Sequence, residues 1–157
     1  MLMLLNQVLN KLDHEAPAAY AYLQGRSEKP DIKGIALFYS IWGGTLVSII
    51  VNGLPDDNFL GMHIHEGASC TGTKEDPFAD VGGHFNPAGK EHPFHAGDLP
   101  SLLENDGFAF QACFTARFQP WDVMGRTIII HGKSDDFKSQ PAGDSGMKIA
   151  CGEIVKN

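Results

Sequence analysis

The sequence predicts an all-β protein, an eight-stranded antiparallel Greek-key barrel or sandwich with one long loop and a short N-terminal helix. Three observations predict this fold. After residue 17, short apolar runs rich in β-branched and aromatic residues recur, turn residues separate them, and residues 66–97 show almost no periodicity. Successive short strands with turn signals between them are typical of antiparallel sandwiches and barrels.

Size and charge narrow the class of protein further. A chain of 157 residues is long enough for one domain with a full hydrophobic core. Its 19 acidic and 12 basic residues give a net charge of −7. This balance argues against a general nucleic-acid binder or a membrane-surface protein, so we expect neither partner. No apolar run approaches the roughly 20 residues needed to span a bilayer.

The N-terminal residues predict an amphipathic helix. Leu5, Val8, Leu9 and Leu12 follow helical spacing, and Pro17 would end the helix. We therefore divide the chain into a helical extension at residues 1–17 and one domain at residues 18–157. The helix could pack on its own domain or on a partner in a possible homodimer. The segment lacks the basic start and apolar core of an export signal, so the expected location is cytoplasmic.

The remaining chain gives eight strand predictions. They cover residues 18–25, 31–42, 44–55, 61–65, 98–103, 107–116, 126–131 and 148–155. The pair Gly43 and Gly44 between the second and third runs predicts a hairpin. A structureless loop as long as residues 66–97 is unusual inside a compact domain and is usually functional.

Histidines are concentrated in and beside this long loop. His63 and His65 are one residue apart on a predicted strand, so both imidazoles project to the same side. Imidazole pairs suit copper or zinc, although an H-x-H pattern alone is weak. His84, His92, His95 and Asp98 together offer three imidazoles and a carboxylate, which suits a tetrahedral zinc site. The alternative for this second group is a solvated polar loop.

His131 closes the apolar strand at residues 127–130. A lone histidine at a strand end is more often structural. Here it is also a candidate ligand, because the His63–His65 pair lacks partners.

At this point the chain resembles the copper/zinc superoxide dismutase family across about residues 18–155. The motifs that carry the resemblance are GMHIHE, GGHFNP, HAGD, GRTIIIH, the Asp135–Asp136 pair and GMKIACG, in that order. Members of this family fold as antiparallel β-sandwiches, so the resemblance implies the fold class that the strand pattern also predicts.

The resemblance implies two metal cofactors and a ligand set for each. Copper would bind His63, His65, His84 and His131, and zinc would bind His84, His92, His95 and Asp98. His84 would bridge both metals as an imidazolate. The resemblance also implies that Asp135 ties His63 to His92 from outside the ligand shell, which fits the general need to orient ligand imidazoles.

The cysteines allow at most one internal disulfide, because there are three of them: Cys70, Cys113 and Cys151. The resemblance implies that Cys70 and Cys151 pair, which would stabilise the fold by roughly 4–5 kcal/mol on the chain-entropy model. The alternative is that both are small buried hydrophobic residues. Cys113 is then expected to be a buried free thiol.

The resemblance implies dismutation of superoxide, a small anion, with His84 and Lys148 as catalytic residues. Lys148 stands where the family usually has arginine, so it keeps the charge but lacks the planar fork that orients an anion. The shortened segment from His131 to Lys148 and the altered HEGASC sequence leave steering and subunit contacts open. One alternative is a non-catalytic, zinc-loaded member of the same fold. Another is a structural or copper-delivery partner.

Overall fold

The computed structural model describes residues 1–56 and 59–157. Helix α1 spans Leu2–His14, helix α2 spans Pro120–Val123, and a 3₁₀ turn covers Ala79–Val81. The strands are β1 (Ala19–Gly25), β2 (Lys33–Ile41), β3 (Gly44–Asn52), β4 (Phe59–Leu60), β5 (Met62–His65), β6 (Leu102–Leu103), β7 (Phe108–Thr115), β8 (Thr127–His131), β9 (Lys148–Glu153) and β10 (Val155–Lys156). Each predicted run contains a strand, and the last one splits into β9 and β10.

Eight of the described strands form one curled antiparallel sheet. Its order is β5-β8-β9-β1-β2-β3-β7, with β10 also on β1, while β4 pairs with β6 separately. β3 lies beside β7 and β1 lies beside β9, so neighbours in space are distant in sequence, as in a Greek key. The predicted architecture and N-terminal helix are confirmed.

The predicted hairpin between β2 and β3 is also present. Ile41 pairs with Gly44, which leaves Trp42 and Gly43 as the two turn residues. Their φ angles are +51° and +74°. Two central residues with positive φ are the mark of the type I′ turn, whose twist matches that of the flanking strands.

Alternation along β5 and β8 separates the main core from a second buried layer. Met62, Ile64, Ile128 and Ile130 belong to the main apolar core. The residues between them face the other side of the sheet, under the long loop, because successive strand side chains alternate. His63 and His65 therefore lie on the loop side and are buried there.

Helix α1 packs on its own domain. Val8 and Leu12 contact a small cluster formed by Tyr39, Ile41 and Leu46, and the indole of Trp42 donates a hydrogen bond of 2.7 Å to Gln7. The sequence allowed packing of this helix on its own domain or on a partner, and the structure shows packing on its own domain. The division of the chain at residue 17 stays a prediction. Among the described residues, no helix has the length and apolar character required to cross a membrane.

Candidate metal centre

The long loop folds back against the free edge of β5. The amide of Ile64 donates to the carbonyl of Gly97, and the amide of Phe85 donates to the carbonyl of Ile64, each at 2.8 Å. Bridge pairing sets His84 opposite His65 and Asp98 opposite His63. The loop therefore brings its own polar side chains beside those of the strand, which explains its lack of periodicity.

Two groups of buried side chains result, and they share one member. In each group the candidate ligand atoms all lie within 4.8 Å of one another. The groups are His63, His65, His84 and His131, and His84, His92, His95 and Asp98. The structure thus brings together every residue that the sequence assigned to a metal.

Hydrogen bonds to carbonyl groups orient two imidazoles of the first group. Nδ1 of His65 donates to the Gly82 carbonyl at 2.9 Å, and Nδ1 of His131 donates to the Gly146 carbonyl at 3.2 Å. A carbonyl only accepts, so each proton sits on Nδ1 and each Nε2 keeps a lone pair. The two Nε2 atoms face each other at 3.4 Å.

Burial keeps these rings neutral. It lowers the pKa of His65 to about 2 and that of His131 to about 3, and the neighbouring imidazoles act in the same direction. Burial also lowers the pKa of His63, although its hydrogen bond to Asp135 opposes that shift. Neutral imidazole is the form that binds a metal ion.

Asp135 belongs to neither group and forms a hydrogen bond with one histidine of each. Its Oδ2 lies 2.7 Å from Nε2 of His63, and its Oδ1 lies 2.9 Å from Nε2 of His92. Burial raises the pKa of Asp135, but these bonds and the amide of Phe137 outweigh it and lower the pKa to about 2. The ionised carboxylate accepts both Nε2 protons and leaves Nδ1 of each histidine free to bind a cation.

His84 has both ring nitrogens directed into the site. Its Nδ1 lies 2.8 Å from Oδ1 of Asp98 and 3.4 Å from Nδ1 of His95. Its Nε2 is buried without a hydrogen-bond partner among the described residues. Within residues 1–56 and 59–157, this histidine therefore makes no side-chain hydrogen bond outside the two groups, and each of its nitrogens faces one group.

The residues present fit copper and zinc. Nδ1 of His63, Nε2 of His84 and Nδ1 of His92 are buried without a hydrogen-bond partner within the described residues, although Nδ1 of His92 lies 3.2 Å from Oδ2 of Asp98. Such an arrangement costs about 1–3 kcal/mol for each atom left unsatisfied. A bound cation would satisfy all three. The four-imidazole group has the nitrogen donors that copper favours, and three imidazoles with a carboxylate suit zinc.

Sequence reasoning missed several residues that hold this arrangement. The Gln140 amide donates to the His92 carbonyl at 2.7 Å and accepts from the His92 amide at 2.9 Å. Arg117 donates to the carbonyls of Pro93 at 2.9 Å and His95 at 3.0 Å. Single Gln and Arg residues in loops carry no signal of such a role.

The first group opens into a cleft of about 910 Å³. His65, His84 and His131 line it together with Lys148. The Lys148 ammonium lies 2.6 Å from Oδ2 of Asp76, a loop carboxylate that the sequence did not single out. Burial raises the pKa of Asp76, but the hydrogen bonds from Lys148 and from the Phe78 amide lower it by more. The net shift of this pKa is therefore downward.

The Cys70–Cys151 disulfide is present and confirms the pairing that the resemblance implied. It links the long loop to β9 and packs with Phe78, Val81 and Ile129. Cys113 is free and partly buried. Burial raises the pKa of its thiol to about 11.

An antiparallel β-barrel carrying two adjoining histidine groups with a common imidazole defines a metal-binding protein with two neighbouring sites. The sequence model described as copper/zinc superoxide dismutase (SODC) matches residues 32–154. The chain belongs to the copper/zinc superoxide dismutase family.

Individual relatives agree with this assignment. Superoxide dismutase [Cu-Zn] 2 of Aquifex aeolicus is 35% identical, over 71% of this chain and 72% of that protein. Superoxide dismutase [Cu-Zn] of Deinococcus radiodurans is 36% identical, over 77% of this chain and 76% of that protein.

Solved structures are also similar. The Cu/Zn superoxide dismutase from Brucella abortus has a TM-score of 0.76 at 25% identity, covering 86% of this chain and 98% of that one. A SOD-like protein from Bacillus subtilis has a TM-score of 0.73 at 33% identity, covering 85% of this chain and 96% of that one.

Proposed function

We propose that this protein dismutates superoxide to oxygen and hydrogen peroxide, with copper held by His63, His65, His84 and His131 and zinc held by His84, His92, His95 and Asp98. The observation that carries the proposal is the position of His84, whose Nδ1 faces Asp98 at 2.8 Å while its Nε2 is buried without a hydrogen-bond partner in the described part of the chain. One imidazole that serves two cation sites at once accounts for both facts.

The chain's residues would divide the work as follows. When bound, copper supplies the one-electron oxidation and reduction that zinc does not undergo. Two superoxide anions and two protons give one oxygen and one hydrogen peroxide, so the site must also hold a proton. His84 is suited to this, because it lines the cleft and its Nε2 has no hydrogen-bond partner among the described residues.

Other residues of the site orient the imidazoles or attract the anion. Asp135, Gly82 and Gly146 fix the orientation of the imidazoles through the hydrogen bonds described above. Lys148 supplies a positive charge in the cleft, and its pairing with Asp76 reduces the field that an approaching anion experiences.

A second candidate function is metal binding without catalysis, with zinc in both sites. It is supported by the similarity to a Bacillus subtilis protein whose name is only SOD-like. Metal analysis of protein purified from its own cells, together with superoxide decay before and after copper loading, separates the two. Catalysed decay after copper loading supports the proposal. A protein that holds zinc alone, and that does not accelerate superoxide decay even after copper loading, would contradict the proposal.

A further inference from the structure

A second cation, Arg26, lies near Lys148 at the wall of the cleft. The last pair between β1 and β9 joins Gly25 to Ala150. The amide of Arg26 then donates to the carbonyl of Ile149 at 3.1 Å. Arg26 therefore follows β1 at the level of the start of β9. Its side chain lines the same cleft as Lys148 and three of the four histidines proposed to bind copper.

Contacts within the protein hold the Arg26 guanidinium in place and leave part of it unused. Its Nε donates to Oε2 of Glu28 at 2.7 Å, and its Nη1 lies 3.7 Å from Sδ of Met147, a weak thioether acceptor. Within residues 1–56 and 59–157, Nη2 makes no hydrogen bond to the protein. The side chain is nevertheless only 14% exposed. Arg26 is thus a fixed donor group and not a mobile surface arginine.

The negative charge of Asp76 acts on both cations. Its carboxylate lies 2.6 Å from the Lys148 ammonium. The hydrogen bond to Glu28 raises the pKa of Arg26, burial opposes this rise, and the charge of Asp76 adds to it. A carboxylate of the protein therefore lies in the field of both cations, as a bound anion would.

We propose that Arg26 supplies the guanidinium that Lys148 does not offer, and that the two residues together hold a small anion in the cleft. A guanidinium can donate two parallel hydrogen bonds to two oxygen atoms of one anion, whereas an ammonium acts as a point charge. Arg26 would then orient the anion that Lys148 attracts.

The charges around the cleft make the position of these cations important. Among the described residues that line it, three carry carboxylates, namely Glu66, Glu75 and Asp76. Carboxylates repel an anion, so the cleft wall holds one only where the cations are nearest. The proposal deepens the proposed function and rests on it, because it takes superoxide to be the anion.

Sulfate binding to the full chain loaded with zinc tests the site without catalysis. Inorganic sulfate is the probe, at constant ionic strength, and isotope-edited NMR follows the Nε–H signals of the three arginines, Arg26, Arg117 and Arg126. We expect a saturable shift of the Arg26 signal alone, because the other two side chains already donate to carbonyl groups. An Arg26 signal that does not move, or that moves in parallel with the other two, would overturn the proposal.

Variants that remove one positive charge locate the site. Arg26→Gln and Lys148→Gln should each weaken sulfate binding at least about threefold, measured through the backbone amide of Met147. Arg26→Lys keeps the charge but should also bind more weakly, because it loses the planar fork. Lys29→Gln is the matched control, since Lys29 lies on the same turn as Arg26 but does not line the cleft. Equal affinities in Arg26→Gln and Lys29→Gln would overturn the proposal.

Superoxide decay separates this proposal from the proposed function. With copper and zinc bound, Arg26→Gln should lose a few-fold in second-order rate and depend less on ionic strength, while Lys29→Gln should stay close to the unmodified rate. An unmodified protein that does not accelerate decay would contradict the proposed function, whatever the sulfate result. Acceleration that is equal in the unmodified chain and in Arg26→Gln would overturn the role of Arg26 alone.

Discussion

The Lys148 ammonium and the Asp76 carboxylate form an ion pair of 2.6 Å at the wall of the cleft, although the two residues are 72 positions apart. Asp76 is itself fixed, because its Oδ1 accepts the Phe78 amide at 3.2 Å. Lys148 therefore has a partner within the protein and is not a free guiding charge. The pair is partly exposed, so its contribution to stability is about 1 kcal/mol or less.

Asp76→Asn should raise the second-order rate of superoxide decay a few-fold at low ionic strength. The substitution removes a negative charge beside Lys148 and frees its ammonium for the anion. Stopped-flow or pulse-radiolysis decay over a salt series measures the effect. Glu75→Gln is the matched control, because Glu75 also lines the cleft but does not bond to Lys148. An equal gain in both variants would contradict the role given to the pair.

Lys148→Gln should act in the opposite direction. It removes the positive charge that the sequence assigned to anion guidance, so the rate should fall and its dependence on ionic strength should flatten. The rate of Lys148→Gln with Asp76→Asn should then match that of Lys148→Gln alone. An unchanged rate in the single Lys148 variant would remove this residue from the account.

Asp135→Asn should lower zinc affinity about 10–100-fold, the usual cost of losing a residue that orients metal ligands. An amide cannot accept protons from both His63 and His92, so one imidazole would lose its orientation. Competition with a chromophoric chelator measures the affinity. Asp136→Asn is the control, since Asp136 has a similarly lowered pKa of about 2 but bonds to Ser139 and Lys138 instead. Equal losses in both variants would argue against a specific bridge.

Gly143→Ala should also weaken metal binding, by displacing Asp135. Gly143 has a φ of +66°, and a Cβ there would lie 1.9 Å from Oδ1 of Asp135. Gly89→Ala carries a similar backbone penalty, with a φ of +58°, but its Cβ would meet nothing within 4 Å. Zinc affinity should therefore fall in the first variant and hold in the second. Parallel thermal unfolding separates this effect from a general loss of stability.

The cysteines lead to two predictions, one about the number of reactive thiols and one about the pH dependence of alkylation. Without reductant the unfolded chain should show one reactive thiol, and after reduction three.

In the folded protein Cys113 has its pKa raised by burial from 9.0 to about 11. Its alkylation should therefore be slow at pH 8 and rise about tenfold for each pH unit up to about 11. The folded state favours the neutral thiol of Cys113, and this preference contributes to the free energy of unfolding. The contribution is complete below pH 9 and is lost as pH rises through 11. A plateau in the alkylation rate near pH 9 would contradict the burial of this thiol.

The parts of the molecule that depend on local pattern were predictable from the sequence. The period of two along residues 62–65 places His63 and His65 on one side, and the Gly43–Gly44 pair indicates the β2–β3 hairpin, although its two turn residues are Trp42 and Gly43. Asp76, Arg117 and Gln140 were not predictable, because their roles depend on contacts between segments distant in the chain. The packing partner of α1 could not be predicted for the same reason. An amphipathic pattern indicates that one face of a helix is buried, but it does not identify the surface that buries it.

The most direct test of the central claim is the decay of superoxide in pulse radiolysis by protein loaded with copper and zinc, compared with His131→Gln loaded in the same way. His131 belongs to the copper group alone, so the variant retains every zinc ligand. We predict fast decay in proportion to the concentration of the unmodified protein and a loss of at least tenfold in the variant. Decay no faster than the spontaneous rate, or equal rates for the two proteins, would contradict the claim.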